Sequence, residues 1–380
     1  MGGFQGDFAN VKATELGARA IESAVEDAGV SGEAVDAAIM GCVLPAGLGQ
    51  APARQSTLGA GLGLDVSATT INKMCGSGMK AVMDAHDQIA IHSADFMIAG
   101  GMESMSRAPY LLPDTRTGMR FGHGQVMDHM ALDGLEDAYE PGRAMGTFAE
   151  DCAEKYQFTR DAQDAYAIES LKRAQEATKE GWLKDEIAPV TVKTRKGETI
   201  VDEDEQPGKA RLDKIPHLRP AFRKEGTVTA ANASSISDGA AALVLTRASV
   251  AKAHGLTPMA RIHGHATHAQ APNWFTTAPI GAVEKLYQQT GWSREDVELF
   301  EVNEAFAVVA MAAMRDLQID HNAINIHGGA CALGHPIGAS GARIIVTLLG
   351  AMKRLNKTRG VAAICIGGGE ATAIAIERLN

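Results

Sequence analysis

A chain of 380 residues has room for two or three domains with cores of their own. Its 36 Lys plus Arg against 46 Asp plus Glu leave a net charge of −10, which argues against nucleic acid as a partner. Five scattered cysteines without a CxxC pair point to neither a disulfide framework nor a thiolate zinc site, and no apolar run reaches the roughly 20 residues of a membrane span. A cytoplasmic chain with no metal ligands and no membrane partner is the expectation.

In chain order, Leu16, Ala20, Ile21, Ala24, Val25 and Ala28 recur at helical spacing, predicting a helix over 14–28 closed by Gly29. Residues 37–41 read as a short buried strand. The β-branched run 66–71 leads into Asn72-Lys73-Met74-Cys75-Gly76-Ser77-Gly78-Met79, and 81–91 is again helical. Cys75 therefore falls on a strand-to-helix turn, where glycines permit a sharp bend and the unpaired N–H groups of a helix start lower a thiol's pKa. A nucleophilic cysteine belongs there, although a packed structural cysteine reads the same in isolation. A second strand covers 96–99 and ends at Gly100-Gly101. This alternation predicts a parallel sheet covered on both faces.

Residues 102–235 interrupt that rhythm. Pro109, Pro113, Gly118, Gly122 and Gly124 punctuate a loop, 145–155 is an amphipathic helix, and Thr159 caps a long helix reaching Lys179. Residues 187–192 and 198–201 suggest a hairpin turning at Lys196-Gly197. The acidic run 202–205 reads as solvated surface. Arg211, Lys214, His217, Arg219, Arg223 and Lys224 form a basic cluster, either ordinary surface or an anchor for a phosphorylated nucleotide, with no Walker or Rossmann glycine pattern nearby.

The opening pattern then recurs. A helix over 281–290 and a strand over 298–302 can be laid on the first half so that Gly29 meets Gly291, Ser31 meets Ser293 and Val35 meets Val297. A helix over 341–353 and a strand over 361–366 ending in Gly367-Gly368-Gly369 continue the match, which argues for an internal duplication. A strand-like run at 259–263 opens the second half. Its partner in the first half would straddle Met1, and 2–8 is a poor strand, so the natural chain is expected to begin several residues earlier.

Three further motifs end elements of the second half: Asn303-Glu304-Ala305-Phe306, Gly334-His335-Pro336-Ile337-Gly338-Ala339-Ser340-Gly341 and Cys365-Ile366-Gly367-Gly368-Gly369. Ligands of open α/β sheets collect at the carboxyl ends of strands, so these motifs and Cys75 can share one crevice. Two thiols, an imidazole and a backbone N–H after a strand make a kit for acyl transfer.

With Ala99-Gly100-Gly101-Met102-Glu103-Ser104-Met105-Ser106 added, this set resembles the thiolases, coenzyme A-dependent acyltransferases, over nearly the whole chain. The resemblance implies a duplicated βαβα core layered α-β-α-β-α with a loop domain inserted in the first half. The corresponding parts are 1–104 with 236–256, a loop and CoA-binding region 105–235, and a second core half 257–380. It implies Cys75 as the acylated nucleophile, His335 as its activator, Cys365 as the acid and base at the α-carbon, Asn303 as holder of a water at the enolate oxygen, and the N–H groups of Cys75 and Gly367 as an oxyanion hole. Ser234, Met145, Leu135, Arg211, Phe222, Ala230 and Phe306 fall where the family contacts coenzyme A or walls the acyl pocket.

The implied reaction joins two acetyl-CoA into acetoacetyl-CoA and CoA by a ping-pong Claisen condensation, in a homotetramer with no permanently bound cofactor. Two departures bear on specificity. Ala144 stands where biosynthetic members place a histidine before the methionine of the pocket wall, and an arginine those members place near the nucleotide is missing around Gln206-Pro207-Gly208, with Lys209 and Arg211 close by. A degradative 3-ketoacyl-CoA thiolase of broader chain length and a non-catalytic acyl-CoA-binding relative are the alternatives.

Overall fold

The computed structural model of the chain describes residues 1–194 and 197–379. The first part runs β1 (Gly2–Gly3), α1 (Ala13–Ala28), β2 (Ala37–Gly41), α2 (Pro52–Gly59), β3 (Ser67–Ile71), α3 (Ser77–Ala90) and β4 (Phe96–Ser104). The middle holds the small pair β5 (Tyr110–Leu111) and β6 (Met127–Asp128), helices α4 (Gly146–Tyr156) and α5 (Arg160–Lys179), the hairpin strands β7 (Val190–Thr194) and β8 (Gly197–Val201), and the short α6 (Glu205–Lys209). The chain returns through β9 (Ser237–Thr246) and α7 (Ala248–Ala253). Then follow β10 (Ala260–Ala269), α8 (Ala278–Thr290), β11 (Leu299–Val302), α9 (Ala307–Asp316), α10 (Ala330–Leu333), α11 (Ser340–Arg354), β12 (Arg359–Ile366) and β13 (Glu370–Arg378).

The first sheet is ordered β1, β9, β4, β2, β3, with β4, β2 and β3 parallel and β9 antiparallel to its neighbours. The second is ordered β10, β13, β12, β11, with only β11 and β12 parallel. β2, β4 and β9 thus recur as β11, β12 and β13, as the duplication requires. α1 and α2 cover one outer face, α3 and α11 lie against each other between the sheets, and α8 and α9 cover the far face, giving the five expected layers.

The central helices approach to backbone contact because both carry glycine where they meet. A Cβ on Gly78 would stand 2.7 Å from the Ala342 nitrogen, and one on Gly341 would stand 2.4 Å from the Met79 nitrogen. Around that crossing Met79, Val82, Ile344, Ile345 and Leu348 are buried with Ile364 and Ile374 of the second sheet. Each large apolar side chain buried there contributes roughly 1.5–3 kcal/mol. Among the described residues no helix is long and apolar enough to cross a membrane.

Several expectations need correction. The strand predicted to stop at Ala99 runs on to Ser104 through Gly100-Gly101, because these glycines serve close approach: a Cβ on Gly100 would lie 2.1 Å from the Ala241 carbonyl oxygen. The acidic run is not uniformly solvated. Asp202 and Glu203 are exposed, but the Glu205 side chain is 4% exposed and accepts the N–H groups of Gly3 (2.8 Å) and Asp7 (2.9 Å), while Asp204 holds the Met1 ammonium. These carboxylates satisfy a segment with little strand pairing: β1 reaches only Asp238 and Ser237, whereas its counterpart β10 pairs along all of β13. The hairpin forms with Thr194 opposite Gly197, and Lys196 of its expected turn lies outside the described residues.

Candidate active site

Cys75 precedes α3 by two residues, on a turn held from both sides. Met74 stands at φ 47°, a left-handed conformation that costs a residue with a side chain on the order of 1–3 kcal/mol. Its neighbours fix it there. The Met74 N–H donates to Asn72 Oδ1 (2.9 Å), Ser77 Oγ donates to the Met74 carbonyl (2.6 Å), and the Lys73 N–H donates to Ser77 Oγ (2.8 Å). Gly76 lets the turn pass against the second half, since a Cβ there would meet Ile366 Cδ1 at 2.4 Å. Lys73 also ion-pairs with Glu370 at the start of β13.

Cys75 is half-buried by surface, yet enclosed densely enough that burial pushes its thiol up to about 11, while the Gly367 N–H and its own N–H pull the other way. The expected lowering therefore does not occur, because desolvation of the thiolate outweighs the helix start. Cys365 lies at the end of β12, buried, and its thiol is pushed well up by burial and then by the adjoining Cys75. At rest both sulfurs carry their protons. Two N–H donors converge on the first of them.

The loop before α11 carries His335 into a buried position against the ends of β2 and β4. A Cβ on Gly101 would lie 2.0 Å from the Gly338 carbonyl oxygen, so loop and strand touch backbone to backbone. Burial, and then the charge of Arg343, lowers the His335 pKa to about 3, which keeps the ring neutral. Its tautomer follows from one hydroxyl. Ser340 Oγ donates to the Pro336 carbonyl (2.9 Å), which leaves it as acceptor for His335 Nδ1–H (2.6 Å). Nε2 then carries the lone pair, and it is buried without a hydrogen-bond partner among the described residues.

Asn303 follows β11 and is 1% exposed. Its Oδ1 faces Arg343 Nη2 at 3.5 Å, which turns Nδ2, also unpartnered, the other way. Arg343 in turn stands 3.7 Å from Glu301, whose carboxyl burial raises to about 8. The adjacent Glu304 accepts Tyr166 Oη–H (2.9 Å), Asn325 Nδ2–H (2.9 Å), Ser170 Oγ–H (2.8 Å) and the Cys331 N–H (3.1 Å), so it ties the turn after β11 to the loop leading to His335.

Of the expected binding residues, Leu135 packs in the cluster beside Cys75, and its carbonyl accepts the Met145 N–H at 3.0 Å. Met145 Cε would lie 3.6 Å from a Cβ on Gly367, whose N–H faces Cys75. The Ser234 N–H donates to Ala305 O (3.0 Å), and Phe222 meets Phe306 edge to face at 5.9 Å between ring centres. Ala230 is exposed nearby in sequence. Arg211 is exposed and engaged with Asp213 at 3.0 Å, and Arg223 with Asp151, so part of the basic cluster is neutralised.

Sequence reasoning missed Glu103, Glu304 and Arg343. Glu103 is fully buried, pushed by burial up to about 7, and accepts the N–H groups of Val43 (3.0 Å), Leu44 (3.1 Å) and Gly338 (2.9 Å). Glu103 and Glu304 sit inside the motifs already noted and Arg343 two residues beyond one, and charged residues in otherwise apolar, glycine-rich stretches were the available signal.

Comparison with known proteins gives one answer. Residues 1–249 match the family described as thiolase, N-terminal domain, and residues 256–378 match thiolase, C-terminal domain. The chain is 49% identical over 380 residues to a probable acetyl-CoA acetyltransferase of Dictyostelium discoideum, covering 100% of this chain and 92% of that one. It is 49% identical to acetyl-CoA acetyltransferase 2 of Arabidopsis thaliana over 382 residues, with coverage of 100% and 94%. The crystal structure of Acat5 thiolase from Ascaris suum in complex with coenzyme A superposes with a TM-score of 0.94 at 41% identity, covering 100% and 97% of the two chains.

Proposed function

The chain belongs to the thiolase family, and on that premise we propose that it is an acetyl-CoA C-acetyltransferase in which Cys75 carries the acetyl group. Coenzyme A and its thioesters are substrates, and no resident cofactor is required. The observation that carries this reading is the pair of N–H groups, from Cys75 and Gly367, aimed at a thiol that stands beside a second buried thiol.

A neutral thiol needs a base, and His335 Nε2 is one. In the first half-reaction Nε2 takes the Cys75 proton as Sγ attacks the acetyl carbonyl carbon. The developing oxyanion meets the Cys75 and Gly367 N–H groups, a contribution of roughly 3–4 kcal/mol for such a donor. The C–S bond to coenzyme A breaks, and the leaving thiolate takes the proton of Cys365. In the second half-reaction Cys365 thiolate removes an α-proton from the next acetyl-CoA. Its raised pKa makes it a strong base once ionised. The enolate oxygen is met by the His335 imidazolium and by Asn303 Nδ2 through a water. The carbanion attacks the Cys75 thioester, and the departing Cys75 sulfur recovers its proton from His335. Both thiols and the imidazole end as they began.

Residues 105–235, with Met145, Phe222 and Arg211 in them, serve coenzyme A and the acyl pocket on this reading, and 1–104 with 236–256 and 257–380 are the two catalytic halves. A homotetramer is supported by an exposed apolar stretch between β5 and β6, where Leu112, Met119, Phe121 and Val126 face solvent. Sedimentation velocity showing a monomer at micromolar concentration would remove that assembly. Activity is tested by thiolysis of 3-ketoacyl-CoAs of four to sixteen carbons. A steep fall in kcat/KM beyond four carbons is expected, because Met74 and Met145 both border Gly367. A flat profile overturns the acetyl specificity and favours a general 3-ketoacyl-CoA thiolase.

A further inference from the structure

Far along α3 from the nucleophile, two consecutive residues meet a strand of the other half. His86 Nδ1 lies 3.1 Å from Asp87 Oδ1, and His265 Nε2, on β10, lies 2.9 Å from the same oxygen. The two imidazoles stand edge to face with ring centres 5.1 Å apart. One donor atom from each of the three residues falls within 4.8 Å of the others, and among the described residues this is the one cluster of three metal-ligating side chains so placed.

We propose that His86, Asp87 and His265 form a binding site for a borderline transition-metal ion of the Zn²⁺ class, which clamps the helix behind the nucleophile to the second half of the core. Bonds of roughly 2.0–2.1 Å around a tetrahedral ion would set the donors somewhat over 3 Å apart, close to the two separations already present. Two imidazole nitrogens with one carboxylate suit Zn²⁺, Co²⁺, Ni²⁺ or Cu²⁺ and disfavour Mg²⁺ and Ca²⁺, which take oxygen ligands. Each ring needs its proton on the remote nitrogen, so a neutral imidazole binds by changing tautomer and loses no proton. His86, Asp87 and His265 side chains are 34%, 58% and 18% exposed, open enough for water to complete the coordination.

The alternative for the same geometry is a hydrogen-bonded triad in which both imidazoles donate to Asp87. It accounts for the contacts without a metal and predicts no selectivity among cations. The two readings differ in what His265 does for the whole chain. In the metal site it is a ligand from β10 whose loss leaves only neighbours on one helix, and an i, i+1 pair cannot form a strong chelate by itself.

The test uses the full chain, stripped with chelator and titrated with Co²⁺ alone, followed by visible absorption and by melting. One Co²⁺ per chain with ligand-field bands, and a Tm rise of roughly 3 °C at a hundredfold excess over Kd, is expected. His265→Ala should weaken binding by more than about 100-fold, and His86→Ala, on the helix surface, should do the same without disturbing β10. Mg²⁺ should produce no shift. Absence of saturable Co²⁺ binding, wild-type affinity retained in either variant, or a thiolate-to-metal charge-transfer band that persists in His265→Ala would overturn the proposal, the last by placing the ion on a cysteine.

Discussion

The two halves of the core open their central helices with the same Ser-Gly pair and use it differently. Aligning Gly78 of α3 with Gly341 of α11 puts Ser77 on Ser340, and each serine is fully buried. Ser77 Oγ bonds the Lys73 N–H and the Met74 carbonyl, so it holds a strained turn that presents a sulfur. Ser340 Oγ bonds His335 Nδ1 and the Pro336 carbonyl, so it holds an imidazole in one tautomer. A duplicated βα unit thus supplies one scaffold twice, and on the proposed mechanism the halves divide the chemistry: the nucleophile comes from the first, the base and the second thiol from the second.

The largest expected effect concerns that division. If Cys75 has a pKa of about 11 and is activated only in the reaction, its alkylation by iodoacetamide should rise roughly tenfold per pH unit from 6 to 9, about a thousandfold in all. The sign follows from the raised value: the protonated form dominates at neutral pH, and the thiolate gains as pH climbs toward 11. A rate independent of pH would mean a standing thiolate–imidazolium pair, and the two halves would then share one ionised unit.

Next, Ser340→Ala should lower kcat/KM by roughly 10- to 100-fold through loss of the His335 tautomer, beside a stability cost of about 1–3 kcal/mol for the buried His335 Nδ1–H left without its acceptor. Smallest in activity is Ser77→Ala, expected to cost about 1–3 kcal/mol of stability, because the half-buried Lys73 N–H loses its acceptor. Denaturant titration beside steady-state kinetics separates the two. If both serines proved purely structural, or both purely kinetic, the contrast between halves would fail.

A second contrast lies at the sheet edges. β10 pairs with β13 from Ala260 to Ala269, while β1 contributes Gly2 and Gly3 and is completed by the carboxylates of Asp204 and Glu205. The rescue by an acidic run did not follow from sequence, because charge clusters are usually solvated and only the fold brings them to unpaired N–H groups.

By itself the sequence determined the family, the duplicated order of elements, and the identity of Cys75, His335, Asn303, Cys365 and Gly367 as motif residues, since each stands in a local pattern of glycines, strand ends and helix starts. Local patterns carry that much because turns and caps are made by neighbours in the chain. The protonation states were decided by tertiary structure alone. A helix start argued for an acidic thiol, but burial from several segments outweighs it, and the same desolvation keeps His335 neutral. Glu103, Glu304 and Arg343, which fix the loops around the site, and the meeting of His86 and Asp87 with His265 likewise depend on segments far apart in sequence. Desolvation and long-range hydrogen bonds are sums over the folded surroundings, and no stretch of the chain contains those surroundings.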